Sequence, residues 1–232
     1  MHILITRPEP AATETAERLV ALGHQVTVDP MLRIVPNDAA MPEGDFDAVA
    51  FTSINGVKAL AAHPRGPGLF HLPAYAVGTR TAREARAVGF TRVTDSKGNA
   101  EALAGTLAET LPRGARVLHP AGEDRAADLS QLLASPGIEV VLAVIYEAVA
   151  ADALSQSARA ALASGTVTAA LHLSHRTVDT FLRCVAAAGL EDRLPGIREL
   201  CLSHQVAEPF LKAGLAAEIA AAPNEDALIA LL

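Results

Sequence analysis

Short apolar runs alternate with longer stretches in which apolar residues return every three or four positions, from one end of the chain to the other. Residues 2–6 form the first run and read as a buried strand. Residues 8–22 follow with Ala12, Ala16, Leu19 and Val20 at helical spacing, and Gly23 ends that helix. Residues 25–28 make the next strand. Residues 47–52 make another, ending in Thr52-Ser53-Ile54-Asn55-Gly56, and the helix after it sets Val57, Leu60 and Ala61 on one face. Residues 74–77 are a strand that runs into Gly78-Thr79-Arg80-Thr81 and a helix to about Val88. Arg92 and Val93 open a short strand, and Asn99 caps a helix through Leu107. The later part of the chain continues the alternation: 169–173 into Ser174, 200–202 into Ser203, and Asn224 into a last helix. This rhythm predicts parallel sheets covered by helices on both faces, with right-handed crossovers. The Pro- and Gly-rich residues 64–73 read as a surface loop.

The pattern is written twice. Ile3, Gly23 and Val26 recur as Val117, Gly137 and Val140 at one constant spacing. Gly78, Gly89, Asn99, Ala102 and Leu103 recur as Ser203, Gly214, Asn224, Ala227 and Leu228 at a second constant spacing. Two similar lobes are expected, with a cleft between them as a common place for a ligand. Each copy also carries an extra extended stretch with no obvious helix after it, 31–35 in the first and 143–149 in the second. These are candidates for a ladder linking the lobes.

Composition narrows the possible functions. Half of the 232 residues are apolar, which suits a folded protein with a real core. Aromatics are only 3%, with no Trp, and the net charge is −7. Such a chain lacks both the stacking platforms and the basic footprint of a nucleic-acid binder, and it has no attraction for an anionic membrane. Cys184 and Cys201 form no CxxC pair and read as buried thiols rather than a disulfide framework. No basic segment leads into an apolar core near the N-terminus, and no apolar run is long enough to span a bilayer, so a cytoplasmic protein is expected.

Candidate chemistry lies at the strand ends, because open parallel sheets bind ligands beyond their carboxyl edges. Those ends are Thr6-Arg7-Pro8, Thr52-Ser53, Gly78-Thr79, Pro120-Ala121-Gly122, Ser174-His175-Arg176 and Ser203-His204. Each is expected at a helix N-terminus, where unpaired N–H groups favour anions; the same residues also serve as ordinary N-caps. Arg7, Arg80, Arg83, Arg125 and Arg176 stand in or just after these ends, placed for charge-assisted bonds to anions or simply for solvent. His172 and His175 bracket one strand end, but no third metal ligand accompanies them. Tyr146, one of two tyrosines, falls in the candidate ladder as packing or as a phenol facing the cleft.

Taken together, ILITRPEP with Gly23 and Pro30, FTSINGV, AVGTRTA with the later GF, AEALA, AVIYEA and LSHRTVDTF resemble the uroporphyrinogen-III synthases over essentially the whole chain. The resemblance implies two similar doubly wound α/β lobes joined by a two-stranded antiparallel ladder. Lobe 1 would hold residues 1–30 and 150–232, lobe 2 residues 37–141, and the ladder 31–36 and 142–149. It implies a lyase that closes hydroxymethylbilane to uroporphyrinogen III, with loss of water and inversion of the last pyrrole ring, using no metal or organic cofactor. Tyr146 matches the tyrosine suspected of assisting hydroxyl loss. Thr52, Ser53, Thr81 and Ser174 match polar cleft positions, and Arg7, Asn55, Gly78, Gly122, Arg176 and Ser203 complete the substrate-binding candidates. Val206 stands where some relatives carry Thr, and His175 where proline is common. A monomer in transient contact with hydroxymethylbilane synthase is implied. Two other readings stand beside this one: a two-lobe tetrapyrrole- or anion-binding regulatory module without catalysis, and a short glycosyltransferase-like enzyme.

Overall fold

The structure is a computed structural model that describes residues 1–37, 39–123 and 128–232. β1 (His2–Ile5) is buried throughout. It leads to α1 (Ala11–Ala21), which begins later than the apolar spacing predicts. Pro8 and Pro10 account for the delay, since a residue before proline is turned away from the helical region. Gly23, at φ +85°, reverses the chain into β2 (Gln25–Val28), and β3 (Leu32–Pro36) follows. Next come β4 (Ala48–Phe51), α2 (Ile54–Ala62), β5 (Ala74–Ala76), α3 (Thr79–Val88), β6 (Val93–Asp95) and α4 (Ala100–Thr110). Then come β7 (Arg116–Gly122), α5 (Leu129–Ala134) and β8 (Glu139–Ala150). The chain ends with α6 (Gln156–Ala163), β9 (Ala169–His172), α7 (His175–Ala187), β10 (Arg198–Cys201), α8 (His204–Lys212), β11 (Glu218–Ile219) and α9 (Glu225–Ile229). The sequence pattern did not resolve α5, α6 or β11, which are short and carry weak periodicity.

The chain divides into two compact units, Met1–Arg33 with Val149–Leu232, and Ile34–Ala148. In the first, β11-β10-β9-β1-β2 form a parallel sheet. Alternate strand residues point to opposite faces. Ile3, Ile5, Leu171 and Leu200 therefore pack under α1 and α9, while Leu4 and Ala170 pack with Val178, Phe181, Val206 and Phe210. In the second, the order is β3-β8-β7-β4-β5-β6, with parallel pairing from β8 through β6. Val49, Phe51 and Leu118 meet α2 and α3; Ala48, Ala50 and Val117 meet α4 and α5.

The two sheets share one plan. Strands β11-β10-β9-β1-β2 correspond in order to β6-β5-β4-β7-β8, and β3 is the addition. The chain runs through that plan differently: β1 and β2 come first in one unit, while their counterparts β7 and β8 come last in the other. One unit is a circular permutation of the other.

One expectation about the ladder changes. The sequence separated the strand at Val140 and Leu142 from an extra stretch at 143–149, whereas β8 runs unbroken through both. Its first part pairs with β7, and β3 lies along its other edge. The Asn37 N–H donates to the Ile145 carbonyl (3.0 Å) and the Ala151 N–H to that of Met31 (2.9 Å). One partner's number rises as the other's falls, which marks an antiparallel pair.

Candidate active site

In unit Ile34–Ala148 the strand order reverses between β4 and β7, and the helices that follow, α2 and α5, lie on opposite faces. Such a switch point is where doubly wound sheets receive ligands. Thr52 and Ser53 leave the carboxyl end of β4, Gly122 ends β7, and Tyr146 stands next to it on β8. A bulge between Ala121 and Gly122 brings Gly122 into register with Tyr146. A Cβ on Gly122 would stand 2.5 Å from Tyr146 Cε2 and 3.0 Å from Cζ. Only glycine lets the ring lie against the end of β7.

The Tyr146 hydroxyl hydrogen-bonds the Ser53 side chain and the Gly122 backbone. Burial raises the phenol above its ordinary value of 10.0, and the two hydrogen bonds oppose that rise. Tyr146 is therefore a neutral phenol at physiological pH, with its oxygen held by partners that favour the phenolate. Ser53 is also the N-cap of α2, accepting from the Asn55 N–H at 3.1 Å. The first turn of α2 sits hard on β7: a Cβ on Gly56 would stand 2.5 Å from the Pro120 carbonyl oxygen. That approach sets the Ser53 cap beside Tyr146. Thr52, half-buried, is hydrogen-bonded to His119 Nε2 at 3.1 Å.

The remaining candidates are distributed as follows. Gly78 is the N-cap of α3 in an extended conformation, with no side-chain bond, and a Cβ there would meet only the Gly98 carbonyl oxygen, in ordinary contact at 3.9 Å. Thr81 is buried in α3, while Arg80 and Arg83 are exposed. In the other unit, Ser174 and Ser203 cap α7 and α8, accepting from the Thr177 N–H at 3.2 Å and the Val206 N–H at 3.4 Å. Ser174 also pairs closely with the Thr177 hydroxyl. Arg176 is exposed at the start of α7. Arg7 Nη1 bonds Glu225 at 2.9 Å and Thr15 at 3.1 Å, tying β1 to α9. Two of the six strand ends do not stand at helix N-termini. After Thr6-Arg7-Pro8 the prolines delay α1 to Ala11, and Pro120-Ala121-Gly122 is still strand, with α5 starting at Leu129. Arg125 lies outside the described residues.

Residues 13–230 match the family model described as uroporphyrinogen-III synthase HemD. The chain belongs to the uroporphyrinogen-III synthase family. Among solved structures it is similar to uroporphyrinogen-III synthetase from Helicobacter pylori 26695, at 18% identity and TM-score 0.64, over 99% of this chain and 97% of that one. A mutant uroporphyrinogen III synthase from the extremely thermophilic bacterium Thermus thermophilus aligns at 18% identity and TM-score 0.46, over 100% and 95% of the two chains. A search among curated proteins found no match. The synthase reading of the sequence motifs thus holds at the level of the family, and nothing favours the non-catalytic alternative.

For this uroporphyrinogen-III synthase family member, sequence reasoning missed two buried polar clusters. His119 is buried behind Thr52. His172 is fully buried, with Nε2 2.8 Å from Glu199 Oε2, Nδ1 3.1 Å from Thr6 Oγ1, and its ring against Phe181 and Phe210. Burial raises the Glu199 carboxyl, which His172 partly counters. The signal available was a His inside an apolar run, but its partner lies on another strand. His175 turns instead to Asp179 (3.0 Å) and Glu208 (3.6 Å). Among the described residues no group of three or more His, Cys, Asp or Glu side chains is placed to hold a metal ion, and no helix is long and apolar enough to cross a membrane. Cys184 and Cys201 are buried free thiols, and burial pushes Cys201 up to about 12.

Proposed function

We propose that this chain is a cofactor-independent hydro-lyase that converts hydroxymethylbilane to uroporphyrinogen III, with Tyr146 as the proton donor. The observation that carries the reading is the position of Tyr146, its ring packed on Gly122 and its hydroxyl by Ser53, at the carboxyl edge of the sheet where the strand order reverses. The phenol protonates the departing hydroxyl, the C–O bond breaks, and water leaves. The Ser53 and Gly122 hydrogen bonds stabilise the phenolate left behind, and this anion in turn stabilises the azafulvene cation. That cation attacks the substituted carbon of the last pyrrole ring. The spiro intermediate then fragments and recloses, and the ring proton is returned. Holding the cation against that carbon, rather than the free one, is a matter of orientation.

The substrate carries eight carboxylates, and this chain is acidic overall, so binding rests on local donors. Thr52, Asn55 and the α3 N-terminus after Gly78 supply them in one unit, where the Gly122 backbone serves through Tyr146. Ser174, Ser203, Arg176 and the remaining guanidinium N–H groups of Arg7 supply them in the other. Thr81 contributes through packing of α3, since it is buried. The linear bilane closes unaided to the type I isomer. A monomer working in the cytoplasm, with a brief hand-over from hydroxymethylbilane synthase, suits so short-lived a substrate.

Freshly made hydroxymethylbilane tests the proposal. The protein should yield the type III isomer, and added chelator should leave the yield unchanged. Well-folded protein that gives only the type I isomer would overturn it.

A further inference from the structure

His119 stands on β7 at the switch point, almost wholly buried, and its Nε2 lies 3.1 Å from the Thr52 hydroxyl oxygen. Strand alternation puts Thr52 in phase with Ala48 and Ala50, and His119 in phase with Val117, on the face that meets α4 and α5. The pair crosses between β4 and β7, neighbouring strands far apart in sequence, at the edge where Ser53 and Gly122 hold Tyr146. Thr52 is half-buried, and its hydroxyl meets the imidazole.

A threonine hydroxyl has one proton to give. Its oxygen is placed by the stiff β-branched side chain, but the direction of the O–H is set by its neighbour. An imidazole nitrogen without a proton would draw the Thr52 O–H inward and present only lone pairs to the ligand. An Nε2–H donates to the Thr52 oxygen instead and leaves the O–H to donate outward. A polycarboxylate can be held only by the second arrangement.

We propose that His119 is a positioning residue for the reaction: its Nε2–H turns the Thr52 hydroxyl outward, as a donor to a substrate carboxylate. The proposal rests on the reading of Thr52 as a substrate contact, and it adds what makes that contact productive. His119 itself does not touch substrate.

The test is a double-mutant cycle on the full chain with hydroxymethylbilane, reading KM and kcat separately. Thr52→Val removes the donor and should raise KM about tenfold or more, the size of a hydrogen bond to a charged group, with kcat little changed. His119→Phe, similar in volume and apolar, should raise KM by the same factor. The double variant should be no worse than either single one. His119→Gln can set a carboxamide N–H near the place of Nε2 and should restore most of the affinity. A 15N spectrum of labelled histidine should show Nε2 protonated in the wild-type protein.

A wild-type protein that makes no type III isomer defeats the synthase reading itself. An active wild type whose KM is unmoved by Thr52→Val, or a His119→Phe variant that lowers only kcat or stability, defeats this proposal alone. So does an unprotonated Nε2. Should His119→Phe fail to fold, His119→Gln alone and combined with Thr52→Val still decides the matter. A folded His119→Gln variant whose KM rises as far as that of Thr52→Val would overturn the proposal.

Discussion

Replacing Gly122 with alanine asks whether Tyr146 works by its position. The new methyl would stand 2.5 Å from Tyr146 Cε2, 3.0 Å from Cζ and 3.1 Å from Cδ2. Carbon atoms in contact sit at roughly 3.5–4.0 Å, so a displacement of about 1 Å is needed. β7 is pinned between β4 and β8 by its ladders, whereas the Tyr146 ring is only half-buried. The ring therefore moves, and its hydroxyl leaves Ser53. Crowding of this kind costs about 1–3 kcal/mol in an enclosed core, and the lower end applies to a ring that can swing outward. Turnover should suffer far more, since a misplacement of about 1 Å is worth on the order of a hundredfold. Tyr146→Phe, which leaves the ring in place and deletes the hydroxyl, should lower kcat by about ten- to a hundredfold. If both changes act through the one phenol, the double variant should be no slower than the slower single variant. The assay is initial rate and type III to type I ratio, with urea unfolding to confirm the folded fraction. Normal turnover in a folded Gly122→Ala protein, or losses that multiply in the double variant, would refute the reasoning.

Gly56→Ala forces a methyl to within 2.5 Å of the Pro120 carbonyl oxygen, a backbone atom that cannot swing aside. Stability should fall by about 1–3 kcal/mol, seen as a lower urea midpoint at unchanged m-value. Burial raises the Glu199 carboxyl above its ordinary 4.5, so its folded-state contribution is fully present below that value and is lost as pH rises through the raised one. The stability of Glu199→Gln relative to wild type should therefore improve as pH climbs from about 4.5 toward neutrality; a constant difference across urea titrations at several pH values would count against this. Ser174→Asp keeps an N-cap oxygen, so unfolding should change by less than about 1 kcal/mol, yet KM should rise because the new charge repels a substrate carboxylate. An unmoved KM would leave Ser174 as a cap only.

Much of this fold was legible in the chain because it depends on near neighbours. The caps Ser53, Asn99, Ser174, Ser203 and Asn224 each accept an N–H two or three residues ahead, an interaction complete within one turn of helix. The repeat and the strand-helix rhythm were equally readable, since burial of alternate faces imposes period on sequence. The candidate site was legible in part. Thr52 and Ser53 were read as a strand end and Tyr146 as a ladder phenol, and the resemblance supplied their roles, but their mutual support was not visible. It needs the pairing of β4, β7 and β8, and the register shift that sets Gly122 against Tyr146. A one-residue slip would turn the ring to the other face.

What the sequence determined alone is therefore the inventory: most of the elements, their caps, the doubled plan, the family and the net negative charge. What only the tertiary structure decided is which residues far apart in the chain share a hydrogen bond. Glu199 found His172 and Thr52 found His119 because neighbouring parallel strands brought them together. The circular permutation of the two units belongs to the same class, since it exists only as an order of strands in space. Local interactions leave their mark in spacing; a parallel sheet joins segments through crossovers, and its pairings are set by packing that no single segment encodes.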